Sequence, residues 1–283
     1  VNQHAESNER LTKLILMAAA SSVSSQPFSL AGRVAIVTGS SRGIGRAVAI
    51  HLSELGAKIL VNYTTRSTEA DQVAAEINSS AGDGPEPIAV VFRADISEPI
   101  QVESLFDAAE KAFKSPVHIL VHSAGILDPN YPTIANTPVE DFDRIFRVNT
   151  RGSFLCCKEA AKRLKRGGGG RIILITSSLT EALIPGQGAY TASKSAVETM
   201  AKILAKELKG SGITANCVSP GPVATEMFFD GKSEETVRYI IENSPFGRLG
   251  ETKDIANVVG FLASDAGEWI NGQVIVANGA FLN

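Results

Sequence analysis

The chain lacks a long apolar run. Its longest candidate, Lys13-Leu-Ile-Leu-Met-Ala-Ala-Ala20, is too short to span a bilayer, so no membrane partner is expected. It lacks a charge excess: 27 basic against 30 acidic side chains leave a net charge of -3, which argues against a nucleic-acid or other polyanion partner. It has only three cysteines, Cys156, Cys157 and Cys217, with no C-x-x-C spacing, so neither a structural zinc site nor any other metal site is expected. Adjacent Cys156 and Cys157 are unsuited to pairing with each other, and three reduced thiols fit a reducing compartment. The expected location is therefore cytoplasmic, with the plastid as the alternative if the Ser/Ala-rich tract to Ser25 is a transit segment. Residues 1–26 read as a poorly anchored extension, with Met17 a candidate native start, and 27–283 as the folded unit.

From Gly32 onward short apolar runs alternate with helical patterns. Strands are expected at Arg33–Thr38, Lys58–Asn62, Ile88–Arg93, Val117–Val121, Arg171–Thr176, Ile213–Val218 and Gln273–Ala277. Helices are expected at Gly43–Leu55, Ser67–Ser79, Ile100–Phe113, Val139–Leu164 with a bend near Gly152, Tyr190–Lys209, Ser233–Asn243 and Thr252–Ser264. The glycine run Gly167–Gly170 should stop the long helix. Apolar strands separated by helices predict an α/β fold: one Rossmann-type doubly wound domain, a seven-stranded parallel sheet with helices on both faces. Ligands of such sheets bind at the carboxyl ends of the strands.

Two local patterns carry chemistry. Gly39, Gly43 and Gly45 lie between the first strand and the first helix. In that context glycines let backbone approach a pyrophosphate at a helix N-terminus. The second strand ends in Asn62-Tyr63-Thr64-Thr65-Arg66, without the acid that accepts from the ribose 2′-hydroxyl of NAD. Arg42 and Arg66 flank that point, and two guanidinium groups suit a 2′-phosphate, which makes NADPH the expected cofactor. Further along, Tyr190 and Lys194 share one helix face. An ammonium beside a phenol is expected to lower the tyrosine pKa and make it a proton donor near neutral pH.

The set Thr38-Gly-Ser-Ser-Arg-Gly-Ile-Gly45, Asp95, Asn149, Ser177, Tyr190-Thr-Ala-Ser-Lys194 and Pro220-Gly-Pro-Val-Ala-Thr225 resembles the short-chain dehydrogenase/reductase family over nearly the whole chain from about Leu30. Within it the wording is similar to the plant NADPH-dependent aldehyde reductase-like group and to 3-oxoacyl-[acyl-carrier-protein] reductases. The resemblance implies carbonyl reduction by hydride transfer, with Tyr190 the proton donor, Lys194 on the ribose hydroxyls, Ser177 on the substrate oxygen and Asn149 fixing a relay water. It implies a cofactor site of Gly39, Ser41, Arg42, Gly43, Ile44, Gly45, Tyr63, Thr64, Arg66, Asp95, Ile96, Ser123, Ala124, Gly125, Tyr190, Lys194, Pro220, Gly221, Val223 and Thr225. Asp95 would contact adenine and Thr225 the carboxamide.

A substrate pocket of Ser177, Leu179, Phe228 and Phe229 is expected under loops 126–137, 179–188 and 227–246, the last an aromatic lid with Tyr239 and Phe246. One departure from the family wording is His122-Ser-Ala-Gly125, where an asparagine is usual in place of His122, which reads as a satisfied structural residue. The alternatives are a 3-oxoacyl-[acyl-carrier-protein] reductase and, in another class, a non-catalytic NADPH-binding regulator. Apolar faces on the two long helices predict a homodimer or homotetramer.

Overall fold

A computed structural model of the chain describes residues 28–82 and 86–281. The expected extension to residue 26, with Met17, lies outside the described residues, as does Asn283. Seven strands form one parallel sheet: β1 Val34–Thr38, β2 Lys58–Tyr63, β3 Ala89–Arg93, β4 Ile119–His122, β5 Gly170–Ile175, β6 Ile213–Pro220 and β7 Val274–Ala277, in the order β3-β2-β1-β4-β5-β6-β7. The central strands are buried along their whole length because helices cover both faces, which is why they read as unbroken apolar runs rather than alternating ones.

One face is packed by α1 (Gly43–Glu54), α2 (Ser67–Ser80) and, near the end of the chain, the helix Thr252–Ala263; its core includes Val37, Leu52, Val61, Val121 and Val259. The other is packed by α3 (Pro99–Phe113) and by the long helices at Val139–Arg163 and Gly188–Glu207, around Leu60, Phe106, Leu120, Cys156, Leu174 and Val197. All three cysteines are buried and free. Burial pushes the Cys157 thiol up to about 12, which keeps it protonated and inert.

The long helical tract is three pieces in line: α4 (Val139–Phe146), a π-turn over Arg147–Arg151, and α5 (Gly152–Arg163). The expected bend is thus a π-turn placed just before Gly152, and it carries Asn149. Gly152 packs against Ile96, whose side-chain end would have to move aside for a Cβ there. The tract ends at Arg163, before the glycine run, whose Gly167, Gly168 and Gly169 take positive φ as the chain turns into β5.

Two short helices escaped sequence reading, α6 (Leu179–Ala182) and, after β6, α8 (Glu226–Phe229). Between them lies α7 (Gly188–Glu207), and α9 (Glu234–Glu242) and α10 (Thr252–Ala263) complete the helices. Four residues are too few to show a period, and α8 is held by its cap, where Thr225 Oγ1 accepts from Phe228 N–H at 3.2 Å.

The sheet reverses its winding at β1, between β2 and β4, and the crevice at the carboxyl ends opens there. Close backbone approach sets its shape. A Cβ on Gly45 would meet Gly39 O at 2.4 Å, so only glycine lets α1 start directly behind the turn. Gly45→Ala should therefore cost about 1–3 kcal/mol by overpacking. A melting temperature lower by roughly 2–10 °C would confirm it, and an unchanged one would refute the close approach as the reason for this glycine.

Candidate active site

The carboxyl ends of β1 and β4 are joined by Thr38. Its Oγ1 accepts from the backbone N–H of Ser123 at 3.1 Å and of Ala124 at 3.2 Å. The hydroxyl's one proton therefore goes to His122 Nδ1, 3.0 Å away, which leaves His122 as the Nε2–H tautomer. His122 is fully buried, and burial, helped by the Lys194 charge, pushes it down to about 3, so the ring is neutral throughout the working range. The expectation that His122 is structural agrees with the Thr38 bond. The expectation that it is fully satisfied does not, since Nε2 has no hydrogen-bond partner among the described residues.

Asn149, Lys194, Tyr190 and Ser177 gather at the ends of β4 and β5. Asn149 is buried; its amide exchanges two hydrogen bonds with Ile126, both at 2.9 Å, and donates to Ser193 Oγ at 3.0 Å. Gly125 packs against this pair: a Cβ there would lie 3.2 Å from Lys194 Nζ and 3.3 Å from Asn149 Oδ1. Ser177 lies close enough to Tyr190 to oppose the rise in its pKa, and its Oγ accepts from Leu179 N–H at 3.3 Å.

The Tyr190–Lys194 pair differs from its expected electrostatics. Lys194 Nζ donates to Ile175 O at 2.9 Å and stands 5.8 Å from the centre of the Tyr190 ring. Tyr190 keeps part of its ring exposed, yet burial pushes its hydroxyl up to about 12 against the opposing effect of nearby Ser177. The ammonium spends its strongest bond on the end of β5 rather than on the phenol, and burial pushes it down to about 8. Sharing a helix face therefore does not by itself put the charge on the phenol oxygen.

On the other bank of the crevice, Gly39 and Gly43 take positive φ. Gly39 lies against Ala124, where a Cβ would meet Ala124 Cα at 2.7 Å, and Gly43 faces Thr225, whose Cγ2 would be 3.6 Å from such a Cβ. Ser41 and Ile96 are buried, and Ile44 and Tyr63 pack on the core. Asn62 ties β2 to its neighbours, accepting from Gly39 N–H and donating to Ala94 O. Thr64 donates to Ala94 O at 3.2 Å. Asp95 Oδ1 is engaged by Ser97 N–H and Oγ–H at 2.9 and 2.8 Å. Pro220 closes β6 and accepts from Ser178 N–H, Gly221 packs on Asn278, and Val223 bridges to Gly250. Arg42 and Arg66 do converge, and they do so on one carboxylate, Glu226.

The loops divide. Phe228 and Phe229 meet edge to face at 5.2 Å, and Lys232 Nζ stacks over Phe228 and over Tyr131. Lys232 also donates to Tyr131 Oη at 2.5 Å, and Tyr131 donates to Asp230 O at 2.8 Å. This clasp joins loop 126–137 to the segment after α8, and the Tyr131 phenol is near enough to Tyr190 to affect its ionisation. Phe246 stands apart from it, lining a cavity of about 230 Å³ with Ile240 and Phe281. Leu183, Phe246 and Tyr239 are largely exposed, so the aromatic lid reduces to Phe228 and Phe229. Lys232 and Glu226 were missed in the sequence. Neither sits in a motif, and their partners are 101 and 184 positions away.

A parallel sheet with a glycine turn at its switch point, facing a Ser-Tyr-Lys group across one crevice, has the construction of dinucleotide-binding doubly wound proteins. The chain belongs to the short-chain dehydrogenase/reductase family. The family model described as Enoyl-(Acyl carrier protein) reductase matches residues 39–281. Among curated relatives, the NADPH-dependent aldehyde reductase-like protein, chloroplastic, of Arabidopsis thaliana is 66% identical over 94% of this chain and 100% of its own. NADPH-dependent aldehyde reductase 2, chloroplastic, of the same plant is also 66% identical, over 94% and 100%. Among solved structures, a short chain dehydrogenase from Burkholderia cenocepacia in complex with NADP superposes with a TM-score of 0.81 at 30% identity, covering 89% of this chain and 98% of that one.

The buried ammonium has a consequence for stability. Lys194 is lowered to about 8 from an ordinary 10.5, so below pH 8 both folded and unfolded chains hold its proton and the burial cost is fully present. Between those values the unfolded chain binds the proton that the folded chain has lost, so stability rises with pH across that window. Replacing Lys194 by Met should flatten this rise relative to the parent when urea unfolding is compared at about pH 7.5 and about pH 9.5. Parallel behaviour of the two proteins would show that the ammonium is not held under that cost.

Proposed function

We propose that this protein is an NADPH-dependent carbonyl reductase, converting an aldehyde or ketone to an alcohol, with residues 27–283 acting as one domain. The observation that carries the reading is the gathering of Asn149, Ser177, Tyr190 and Lys194 beside the glycine cradle. The cofactor fits this cradle on its residues: Gly39, Gly43 and Gly125 are bare at points where backbone must come close, and two arginines converge where β2 ends without an acid. The names of the two Arabidopsis relatives and the NADP in the Burkholderia structure support the same choice.

Bound there, NADPH supplies the hydride. The chain's own residues do the rest. Ser177 and Tyr190, close neighbours in the site, would both point donors at the carbonyl oxygen, stabilise the charge that develops on it and hand it the Tyr190 proton. Lys194 would hold the ribose hydroxyls and ease that transfer through its charge. Asn149, whose amide already orders Ile126 and Ser193, would order the path that reprotonates Tyr190. Gly39, Ser41, Gly43, Ile44 and Gly45 would hold the pyrophosphate side. Asp95 and Ile96 would flank adenine. Ser123, Ala124 and Gly125 would floor the middle of the groove, and Pro220, Gly221, Val223 and Thr225 would hold the carboxamide end. Leu179, Phe228 and Phe229 would wall an apolar substrate.

A 3-oxoacyl-[acyl-carrier-protein] substrate is the second reading; the description of the matching family model shares with it the acyl carrier protein but names an enoyl group in place of the 3-oxo group. The plastid is the location favoured over the cytoplasm, because both Arabidopsis relatives carry "chloroplastic" in their names. No helix among the described residues is long and apolar enough to cross a membrane.

Tyr190→Phe removes the transferable proton and should lower kcat by about a hundredfold or more while leaving NADPH binding nearly intact. Stopped-flow or steady-state assays against aldehydes, diketones and a 3-oxoacyl thioester would check it and rank the substrate classes. Near-normal turnover would reject the assignment of Tyr190.

Assembly as a homodimer or homotetramer is supported by exposed apolar groups on α4, α5 and α7: Phe142 and Phe154 are about half exposed, as is Ile203, while Ile145, Val197 and Ala201 on the same helices are buried inside. Light scattering at micromolar concentration should give about twice or four times the monomer mass. The monomer mass alone would refute it.

A further inference from the structure

The two arginines that read as holding a 2′-phosphate already hold an anion of the chain's own. Arg42, from the glycine turn, and Arg66, just beyond β2, both donate to the same oxygen, Oε2 of Glu226, the second at 3.2 Å. Glu226 is the first residue of α8 and follows Thr225, which faces Gly43 across the crevice. The carboxylate thus reaches from one bank of the groove to the other. Arginine recognises carboxylate and phosphate by the same charge-assisted N–H···O bonds, so the carboxylate occupies the donors that a phosphate would use.

We propose that Glu226 is an internal counter-anion that the 2′-phosphate of NADPH must displace, setting the affinity for 2′-phosphorylated nucleotides and coupling their entry to release of α8. The proposal rests on the reading of Arg42 and Arg66 as the 2′-phosphate site. Displacement is physically easy. All three side chains are largely exposed, at 47%, 42% and 60% for Arg42, Arg66 and Glu226, and exposed ion pairs are weak. A phosphate carries more charge and more acceptor oxygens than the single carboxylate it replaces. The far end of the α8 segment stays anchored, because Tyr131 bonds Asp230 O and Lys232, so losing the Glu226 contact frees one end of a tethered strap. Arg66 also donates to Glu69 Oε1 at 2.9 Å, so Glu226 is the carboxylate the two arginines share, and Arg66 keeps Glu69 when Glu226 is displaced.

Calorimetric titration of the full chain with adenosine 2′,5′-bisphosphate and with 5′-AMP tests this. Glu226→Gln should bind the bisphosphate about three- to tenfold more tightly than the parent, the range set by removing one or two exposed ion pairs, with 5′-AMP binding unchanged. In the parent, the bisphosphate but not 5′-AMP should speed hydrogen exchange at residues 226–230. Equal or weaker bisphosphate binding by Glu226→Gln, or exchange that does not respond, would overturn the proposal while leaving the arginine site standing. Arg42→Ala separates the two: it should lose the preference for the bisphosphate. A preference kept in Arg42→Ala would remove the arginine reading and the proposal together.

Discussion

The crevice depends on one hydroxyl. Thr38 closes β1, takes two backbone N–H groups from the chain leaving β4, and gives its single proton to His122. Every bonding position of that oxygen is used in a buried place, where an unmade bond costs far more than a made one returns. The result fixes the separation of two parallel strand ends at the winding reversal. Gly39 is pressed against Ala124, Gly125 is carried beneath Lys194 and Asn149, and α1 is forced to start immediately behind the turn. The geometry of the remaining site follows from that spacing.

The second constraint is the cost of keeping charge and polar groups under cover. Lys194 and Asn149 are both buried, and each is paid for in bonds to backbone: Lys194 to Ile175 O, Asn149 to both polar groups of Ile126. The π-turn at Arg147–Arg151 carries Asn149, whose amide reaches the loop at Ile126. Tyr190 and Lys194 are displaced from their ordinary ionisation in opposite directions by the same burial, the phenol upward and the ammonium downward. Both shifts favour the uncharged forms.

Opposite this group the crevice carries its charge on the surface. Arg42, Arg66 and Glu226 are exposed and exchangeable, whereas Lys194 and Asn149 are enclosed. A rigid reacting end and an adjustable anchoring end is a sensible division, since the chemistry needs fixed positions and entry needs movement. The clasp of Tyr131, Lys232 and Asp230 lies between the two, tying the loop after β4 to the strap after β6.

Much of this was legible in the sequence. The seven strands and the main helices show as apolar runs and helical periods, because a strand buried on both faces must be apolar throughout and its covering helices must be amphipathic. The glycine turn and the Tyr190–Lys194 pair were legible because each lies within a few residues of one strand-turn-helix or on one helix face, whereas Asn149 and Ser177 were named only through the resemblance to the family. What the sequence alone determined was the parallel doubly wound sheet, the glycine turn behind its first strand and the shared helix face of Tyr190 and Lys194, all products of local pattern. Tertiary structure alone decided which partner each polar group takes. Lys194 bonds the end of β5 rather than the phenol, His122 Nε2 finds no hydrogen-bond partner among the described residues, Phe246 turns to a different cavity, and Glu226 reaches two arginines 184 and 160 positions away. Those pairings depend on distances between strand ends and loops that only the closed sheet brings together, and no local period encodes them.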